Sequence, residues 1–270
     1  MKALITGASS GIGEAFATKF AQLGYDLILT GRRMELLNSI AVRLNDQYKI
    51  MVEVVRVDLE SEHDLDQLVL KIKETNHLEV LVNNGGYGAP DQFLKGEYRN
   101  HEKMVKVHVL APMKLIYAAL PAMLQHNKGI IINVSSLSAN TPLATGALYS
   151  ATKSFLRMFT ESLYLENENS EILFQVLCPG FTKTDFHNKL GWDKSFEKSR
   201  GIIRWSTPEK VVETSLQSLK KGKVLCIPGF WNKVIWQMAD IMPKTLYYKI
   251  ISRESNRELK KHLKLKYDSY

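Results

Sequence analysis

Cysteine is scarce: the 270 residues hold two, Cys178 and Cys226. Two thiols cannot build a disulfide framework. Each closes a short apolar run, Ile172–Cys178 and Val224–Cys226, and reads as a buried, reduced thiol acting as a small hydrophobe. That usage fits a reducing cytoplasm. No Cys/His cluster has metal-ligand spacing, so no metal is expected. Long apolar runs are missing too. The longest stretch without charge, Gly129–Thr152, is interrupted by Ser, Asn, Thr, Pro and Gly, and no membrane span is expected. Nor is a secretory leader, because Met1-Lys2 runs directly into a short strand-like segment ending at Gly7. Repeats, low-complexity tracts and Gly/Ser-rich joints are absent. With 45% apolar and 24% charged residues, a disordered or collagen-like chain is excluded.

What is present in excess is positive charge, net +8. Its distribution matters more than its sum. Residues 1–188 hold 18 basic and 20 acidic side chains, whereas residues 189–270 hold 18 and 8, a net of +10. A basic segment is open to an anionic ligand, a membrane surface or mere solvation. No recognisable nucleic-acid module accompanies it, and no nucleic acid is expected as partner.

The first half alternates short, nearly all-apolar runs with longer amphipathic segments. Ala3–Ile5, Leu27–Thr30, Met51–Val57, Val80–Val82, Ile130–Val134, Leu173–Leu177 and Val224–Ile227 read as strands. Strands apolar on both faces suit a buried parallel sheet. Ile12–Leu23, Met34–Gln47, Glu62–Thr75, Tyr98–His126, Leu148–Asn169 and Trp205–Lys220 read as helices. Ser61 is the N-cap of the third, with Asp64 completing a capping-box pattern. The βαβαβ rhythm predicts an α/β, Rossmann-type, doubly wound parallel sheet of about seven strands, with ligand at the carboxyl ends of the strands. The expected organisation is one domain over 1–230 and a basic helical C-terminal extension over 231–270.

The first strand runs into Thr6-Gly7-Ala8-Ser9-Ser10-Gly11-Ile12-Gly13. A glycine-rich turn that follows a strand and opens a helix lets the backbone approach a pyrophosphate, and the helix N-terminus supplies N–H donors. In an NAD site a carboxylate near the tip of the second strand bonds the ribose. Here that strand ends Leu29-Thr30-Gly31-Arg32-Arg33. Two guanidinium groups are suited to a 2′-phosphate, which points to NADP(H). Asp58-Leu59 would lie at the adenine edge.

These motifs, followed in order by Asn83-Asn84-Gly85-Gly86, Ser136, Tyr149-x-x-x-Lys153 and Pro179-Gly180, resemble those of the short-chain dehydrogenases/reductases over about residues 1–230. The resemblance implies an NADPH-dependent reduction of a ketone or aldehyde, reversible to the alcohol, by an enzyme of the carbonyl-reductase type. Tyr149 is then the proton donor to the carbonyl oxygen, and Ser136 orients that oxygen. Lys153 lowers the tyrosine pKa and holds the nicotinamide ribose. Tyr149 and Lys153 stand four apart and share a helix face, and a nearby ammonium stabilises a phenolate. Ser135 is the rival for the serine role, and strand alternation lets only one of the two face the substrate. Gly7, Ser9, Ser10, Gly11, Ile12, Gly13, Arg32, Arg33, Asp58, Leu59, Asn84, Gly85, Gly86, Tyr149, Lys153, Pro179, Gly180, Thr182 and Thr184 form the implied cofactor site. Gly85 stands where the family usually has alanine, and His108 where it usually has a catalytic asparagine that helps hold a water. His108 is expected to hold that water through its backbone carbonyl or its imidazole.

The segment 181–203, with Phe181, Phe186, Trp192 and Phe196, is expected to cover the substrate. The family commonly forms homodimers or homotetramers through its two long helices, here Tyr98–His126 and Leu148–Asn169. For the basic tail, packing with solvated lysines is favoured over a membrane face. Two other functions stay in view: a membrane-associated reductase of an acyl or lipid carbonyl, and an NADP-sensing protein without catalysis.

Overall fold

The computed structural model describes residues 1–88, 92–142, 146–186 and 204–253. Seven strands form one sheet: β1 (Lys2–Thr6), β2 (Asp26–Gly31), β3 (Val52–Arg56), β4 (Leu78–Asn83), β5 (Gly129–Val134), β6 (Ile172–Leu177) and β7 (Leu225–Cys226). All pairings are parallel and the spatial order is β3-β2-β1-β4-β5-β6-β7. Strand order reverses between β1 and β4, and that switch point opens a crevice at their carboxyl ends.

Alternation along the strands feeds two cores. Ala3, Ile5, Leu27, Leu29, Val80 and Val82 join one apolar cluster, and Leu4, Ile28, Leu81 and Ile131 join the other. The first is covered by α1 (Gly11–Gln22), α2 (Met34–Tyr48) and α7 (Pro208–Leu219). The second is covered by α3 (Glu62–Glu74), α5 (Ala111–Gln125) and part of α6 (Ala147–Glu166). The edge strand β3 carries Glu53 and Arg56 in exposed positions, which discourages further strand pairing.

The element reading holds with informative differences. Ser61 caps α3: its Oγ accepts the Asp64 N–H at 3.2 Å and donates to the Asp64 carboxylate at 3.2 Å. The long helix expected over Tyr98–His126 divides into α4 (Tyr98–Val105), a π-helical turn (Lys106–Leu110) and α5. Although no membrane span is expected from charge-free runs, Tyr98–Gln125 is by length and composition long and apolar enough to cross a membrane. Lys106 and Lys114 interrupt its apolar sequence. Half of its most apolar stretch is buried inside the fold, as in the core helix of a globular protein.

A buried polar chain fixes α6 to the sheet. The Asn83 amide donates to Asn133 at 2.9 Å, and the Asn133 amide donates to Thr160 Oγ1 at 2.9 Å. Buried polar groups need such partners. Beyond β7, helix α8 (Phe230–Ile241) packs Trp236 into a third small cluster with Ala139, Val176 and Cys178.

Candidate active site

The glycine-rich turn is shaped for a close neighbour. Gly7 and Gly11 have φ of +63° and +62°, a conformation that costs glycine little. A Cβ on Gly13 would lie 2.4 Å from the Gly7 carbonyl oxygen. Thr6 Oγ1 accepts the N–H groups of Asn84 and Gly85 at 3.0 and 2.9 Å, and the Asn84 amide donates to the Thr6 and Gly7 carbonyls. The turn after β1 is thereby tied to the end of β4. Ser10 is the N-cap of α1 but its side chain caps no N–H, so the first-turn donors there are open to an anionic ligand.

Arg33 reaches over this helix end. Its guanidinium donates to Ser9 Oγ at 2.9 Å and to Ser10 Oγ at 2.6 Å, and lies 3.5 Å from the Asp185 carboxylate. Arg32 lies 3.5 Å from Glu60 and 3.9 Å from Asp58. Both arginines stand at the tip of β2 with a carboxylate beside each. Ile12 packs partly buried against the first core.

Gly85 has its own local cause. A Cβ there would sit 2.6 Å from Leu59 Cδ1 and 3.4 Å from Thr6 Oγ1, so the Leu59 side chain occupies the space an alanine methyl would take. At Gly86 a Cβ would lie 3.0 Å from His108 Nε2 and 3.6 Å from Lys153 Nζ.

Ser136 and Ser135 diverge as strand alternation requires. Ser135 is buried and donates to the Lys153 carbonyl at 2.8 Å, joining the end of β5 to α6. Ser136 Oγ accepts the Ser138 N–H at 3.2 Å, which leaves its proton free, and the hydroxyl is near enough to Tyr149 to lower the pKa of that phenol. The Lys153 ammonium is buried, donates to the Val134 carbonyl at 2.9 Å and stands 5.7 Å from the centre of the Tyr149 ring. Phe186 packs on that ring with centroids 6.0 Å apart.

The electrostatics depart from the expected direction. Burial pushes the Tyr149 phenol up to about 12, and the hydrogen bond from Ser136 opposes this only in part. Burial pulls Lys153 down to about 8. Desolvation disfavours both charged forms, and here it outweighs the lowering of the tyrosine expected from the lysine. Cys178 lies among these groups and burial pushes its thiol up to about 12, so it is an inert neighbour.

His108 sits in the π-turn, 1% exposed. Its Nε2 accepts the Tyr87 N–H at 3.1 Å, and its Nδ1 lies 3.1 Å from Thr152 Oγ1, which donates to the Tyr149 carbonyl at 2.9 Å. A backbone N–H can only donate, so Nε2 carries no proton, and Nδ1–H donates to Thr152. Burial and the neighbouring Lys153 charge hold the imidazole pKa well below its usual value. A neutral imidazole locked at both nitrogens cannot relay protons, so of the two expected ways of holding a water only the backbone carbonyl stays available.

Thr182 and Thr184 both make local hydrogen bonds. Thr182 is buried and donates to the Gly180 carbonyl at 3.0 Å; Thr184 Oγ1 accepts the Phe186 N–H at 3.3 Å. The Thr184 methyl instead abuts Gly11, where a Cβ would meet it at 2.8 Å. Trp192 and Phe196 of the expected cover lie outside the described residues. Pro179-Gly180 is braced by Asn232: a Cβ on Gly180 would be 2.5 Å from its Oδ1, and its amide donates to the Pro228 carbonyl at 2.6 Å. Asn232, Thr152 and Tyr87 escaped the sequence reading. Each acts across a fold contact or through a backbone group, and no spacing marks them.

The short chain dehydrogenase family model matches residues 1–195. The chain belongs to the short-chain dehydrogenase/reductase family. Such enzymes are oxidoreductases that bind a nicotinamide dinucleotide. The chain is 30% identical to the very-long-chain 3-oxoacyl-CoA reductase of Mus musculus, over 97% of this chain and 83% of that one. A solved short-chain dehydrogenase from Sphingobium yanoikuyae in complex with NADPH superposes with TM-score 0.81 and 28% identity, over 91% of this chain and 94% of that one. The bulky-bulky ketone specific alcohol dehydrogenase from Comamonas testosteroni follows at TM-score 0.77 and 26% identity, covering 89% and 93%. The crevice of this family member fits a dinucleotide: tight glycines, an uncapped helix end and guanidinium groups surround one mouth.

Proposed function

We propose that this family member reduces a ketone or aldehyde to an alcohol, reversibly, using NADPH, with Tyr149 as general acid/base. The observation that carries the reading is the buried Lys153 ammonium 5.7 Å from the centre of the Tyr149 ring, with the Ser136 hydroxyl near enough to lower the pKa of that phenol. When bound, the dinucleotide supplies the hydride. The protein's own residues handle the oxygen and its proton. A phenol pushed up to about 12 is fully protonated at neutral pH, so Tyr149 enters reduction as the acid. Ser136, one of whose two lone pairs accepts the Ser138 N–H, has its single proton to donate to the substrate oxygen. Lys153 keeps a positive charge at neutral pH beside the forming alkoxide, with part of its hydrogen bonding fixed by Val134. Phe186 limits water at the phenol.

NADPH is preferred over NADH in this reading because Arg32 and Arg33 stand at the β2 tip, and the Sphingobium relative's NADPH complex supports it. A carbonyl panel run with NADPH and NADH in parallel tests it, together with Tyr149→Phe. Loss of reduction in that variant with NADPH still bound supports catalysis; retained activity, or an inert wild type that binds NADPH, favours a sensing role. An acyl or lipid carbonyl is the second substrate reading, favoured by the mouse 3-oxoacyl-CoA reductase relative.

The two free, buried thiols support a cytoplasmic setting. A homodimer or homotetramer through α5 and α6 is supported by a cavity of about 620 Å³ on that face, lined by Leu110, Met113, Tyr117 and Phe159. Tyr117 is 83% exposed there. Tyr117→Glu should lower the mass seen by light scattering if this face joins subunits.

A further inference from the structure

The C-terminal helices present an apolar surface edged with cations. In α8 the buried positions are Asn232, Trp236 and Ala239. At 100° per residue, Phe230, Trp231, Met238 and Ile241 fall on the opposite side of the helix. They are exposed by 72%, 38%, 49% and 83%. A helix that is apolar on both faces is ordinarily covered on both. Residues 244–253 continue as helix. There Tyr247 is buried, its hydroxyl donating to the Pro142 carbonyl at 3.4 Å, while Leu246 and Ile250 are exposed one turn apart. Lys249 and Arg253, also one turn apart, are exposed beside them.

The face is held rigidly against the catalytic helix. The Asn140 amide donates to the Trp236 carbonyl at 3.3 Å and to Asp240 at 2.7 Å, and the Arg157 guanidinium lies 4.9 Å from the centre of the Trp236 ring. Lys244 donates to the Ala239 carbonyl at 3.1 Å, closing the end of α8. Asn140, Pro142 and Arg157 lie in the chain between Ser136 and the middle of α6, so the buried side of these helices is anchored to the segment that carries the candidate catalytic residues.

We propose that this face docks on an anionic phospholipid bilayer. Apolar groups would enter the headgroup boundary and Lys249 and Arg253 would meet lipid phosphates, as interfacial amphipathic helices do. Charge selects the occupant. Residues 189–270 carry net +10 and residues 1–188 net −2, so a negative surface attracts the C-terminal third of the chain and is opposed by the rest. A second copy joined by the same face would set like charges opposite one another. The inference is independent of the carbonyl reduced. Its consequence is that a lipophilic substrate would reach the crevice from the bilayer side.

Sedimentation of the full chain with vesicles tests the proposal. Vesicles of phosphatidylcholine with phosphatidylglycerol should carry the protein down, pure phosphatidylcholine should not, and raised salt should release it. Phe230→Ser with Ile241→Ser, and separately Lys249→Glu with Arg253→Glu, should each cut the bound fraction by about fivefold or more. NADPH binding, followed by fluorescence, should be unchanged in both and serves as the control for folding. Removal of residues 254–270 should leave most of the binding. The proposal is overturned by failure to bind anionic vesicles, by binding that survives the serine substitutions, or by binding lost with residues 254–270 alone. It is equally overturned if light scattering shows self-association of the wild type that the serine pair abolishes. None of these outcomes depends on whether carbonyl reduction is observed.

Discussion

His108 in the π-turn and Thr152 in α6 are joined by a buried hydrogen bond of 3.1 Å. It links the interrupted long helix to the helix carrying Tyr149 and Lys153, one residue before that lysine. With Tyr87 N–H on the other ring nitrogen, the tautomer is fixed, and the histidine acts as a strut. π-turns of this kind often occur at functional sites, and here the turn seats the ring between Gly86 and α6.

The strut has a cost at low pH. Its folded pKa is held well below 6.5 by burial and by Lys153. Below pH 6.5 the unfolded chain therefore binds a proton that the folded chain refuses, and stability falls as pH drops. The contribution is at most about 1.4 kcal/mol per pH unit, or ~2–4 °C in Tm. Thermal melts from pH 7 to 5 should show a shallower decline in His108→Asn than in wild type. Parallel declines would refute a buried neutral imidazole.

Tyr149→Phe should lower carbonyl reduction by about 10²–10⁴-fold, the usual size of a general-acid contribution, while the NADPH dissociation constant changes little. Single-turnover kinetics at pH 7 measure this directly. A loss confined to KM would assign Tyr149 to binding instead.

Lys153, pulled down to about 8, should give the opposite pH sign to a surface lysine. Between pH 8 and about 10.5 the unfolded chain keeps the proton that the folded chain has released, so this residue raises stability as pH climbs. Lys153→Met should flatten that part of the denaturant-midpoint profile relative to wild type. An unchanged slope would mean the ammonium titrates normally.

The glycines should separate by what their missing Cβ would strike. Gly13→Ala drives a methyl to 2.4 Å from a carbonyl oxygen and should destabilise by several kcal/mol or prevent folding. Gly85→Ala meets the flexible end of Leu59 and should cost only about 1 kcal/mol. Urea midpoints for the two variants decide it, and comparable losses would contradict this geometry.

Arg33→Ala should weaken NADPH binding by about 10–100-fold, the worth of a charge-assisted hydrogen bond, and leave NADH binding nearly unchanged. Fluorescence titrations with both dinucleotides provide the comparison. An equal loss for both would place Arg33 in support of Ser9 and Ser10 rather than at a 2′-phosphate.

The sequence by itself determined the sheet and the order of its motifs. Short continuous apolar runs such as Ala3–Ile5 and Leu27–Thr30, alternating with amphipathic helices, have one good solution, a parallel sheet buried on both faces. Glycines at 7, 11 and 13 permit backbone approaches that other residues forbid. Helical spacing alone put Tyr149 and Lys153 on one face. Tertiary structure decided what depends on distant partners. It set the shifted proton affinities of Tyr149 and Lys153, because desolvation is a property of the assembled crevice. It chose the tautomer of His108, because Tyr87 and Thr152 reach it from two other segments. It turned Thr182 inward, braced Gly180 with Asn232, and left one side of α8 apolar and uncovered by the described residues. Local pattern encodes which groups can pair along an element, whereas folding alone determines which ones meet across it.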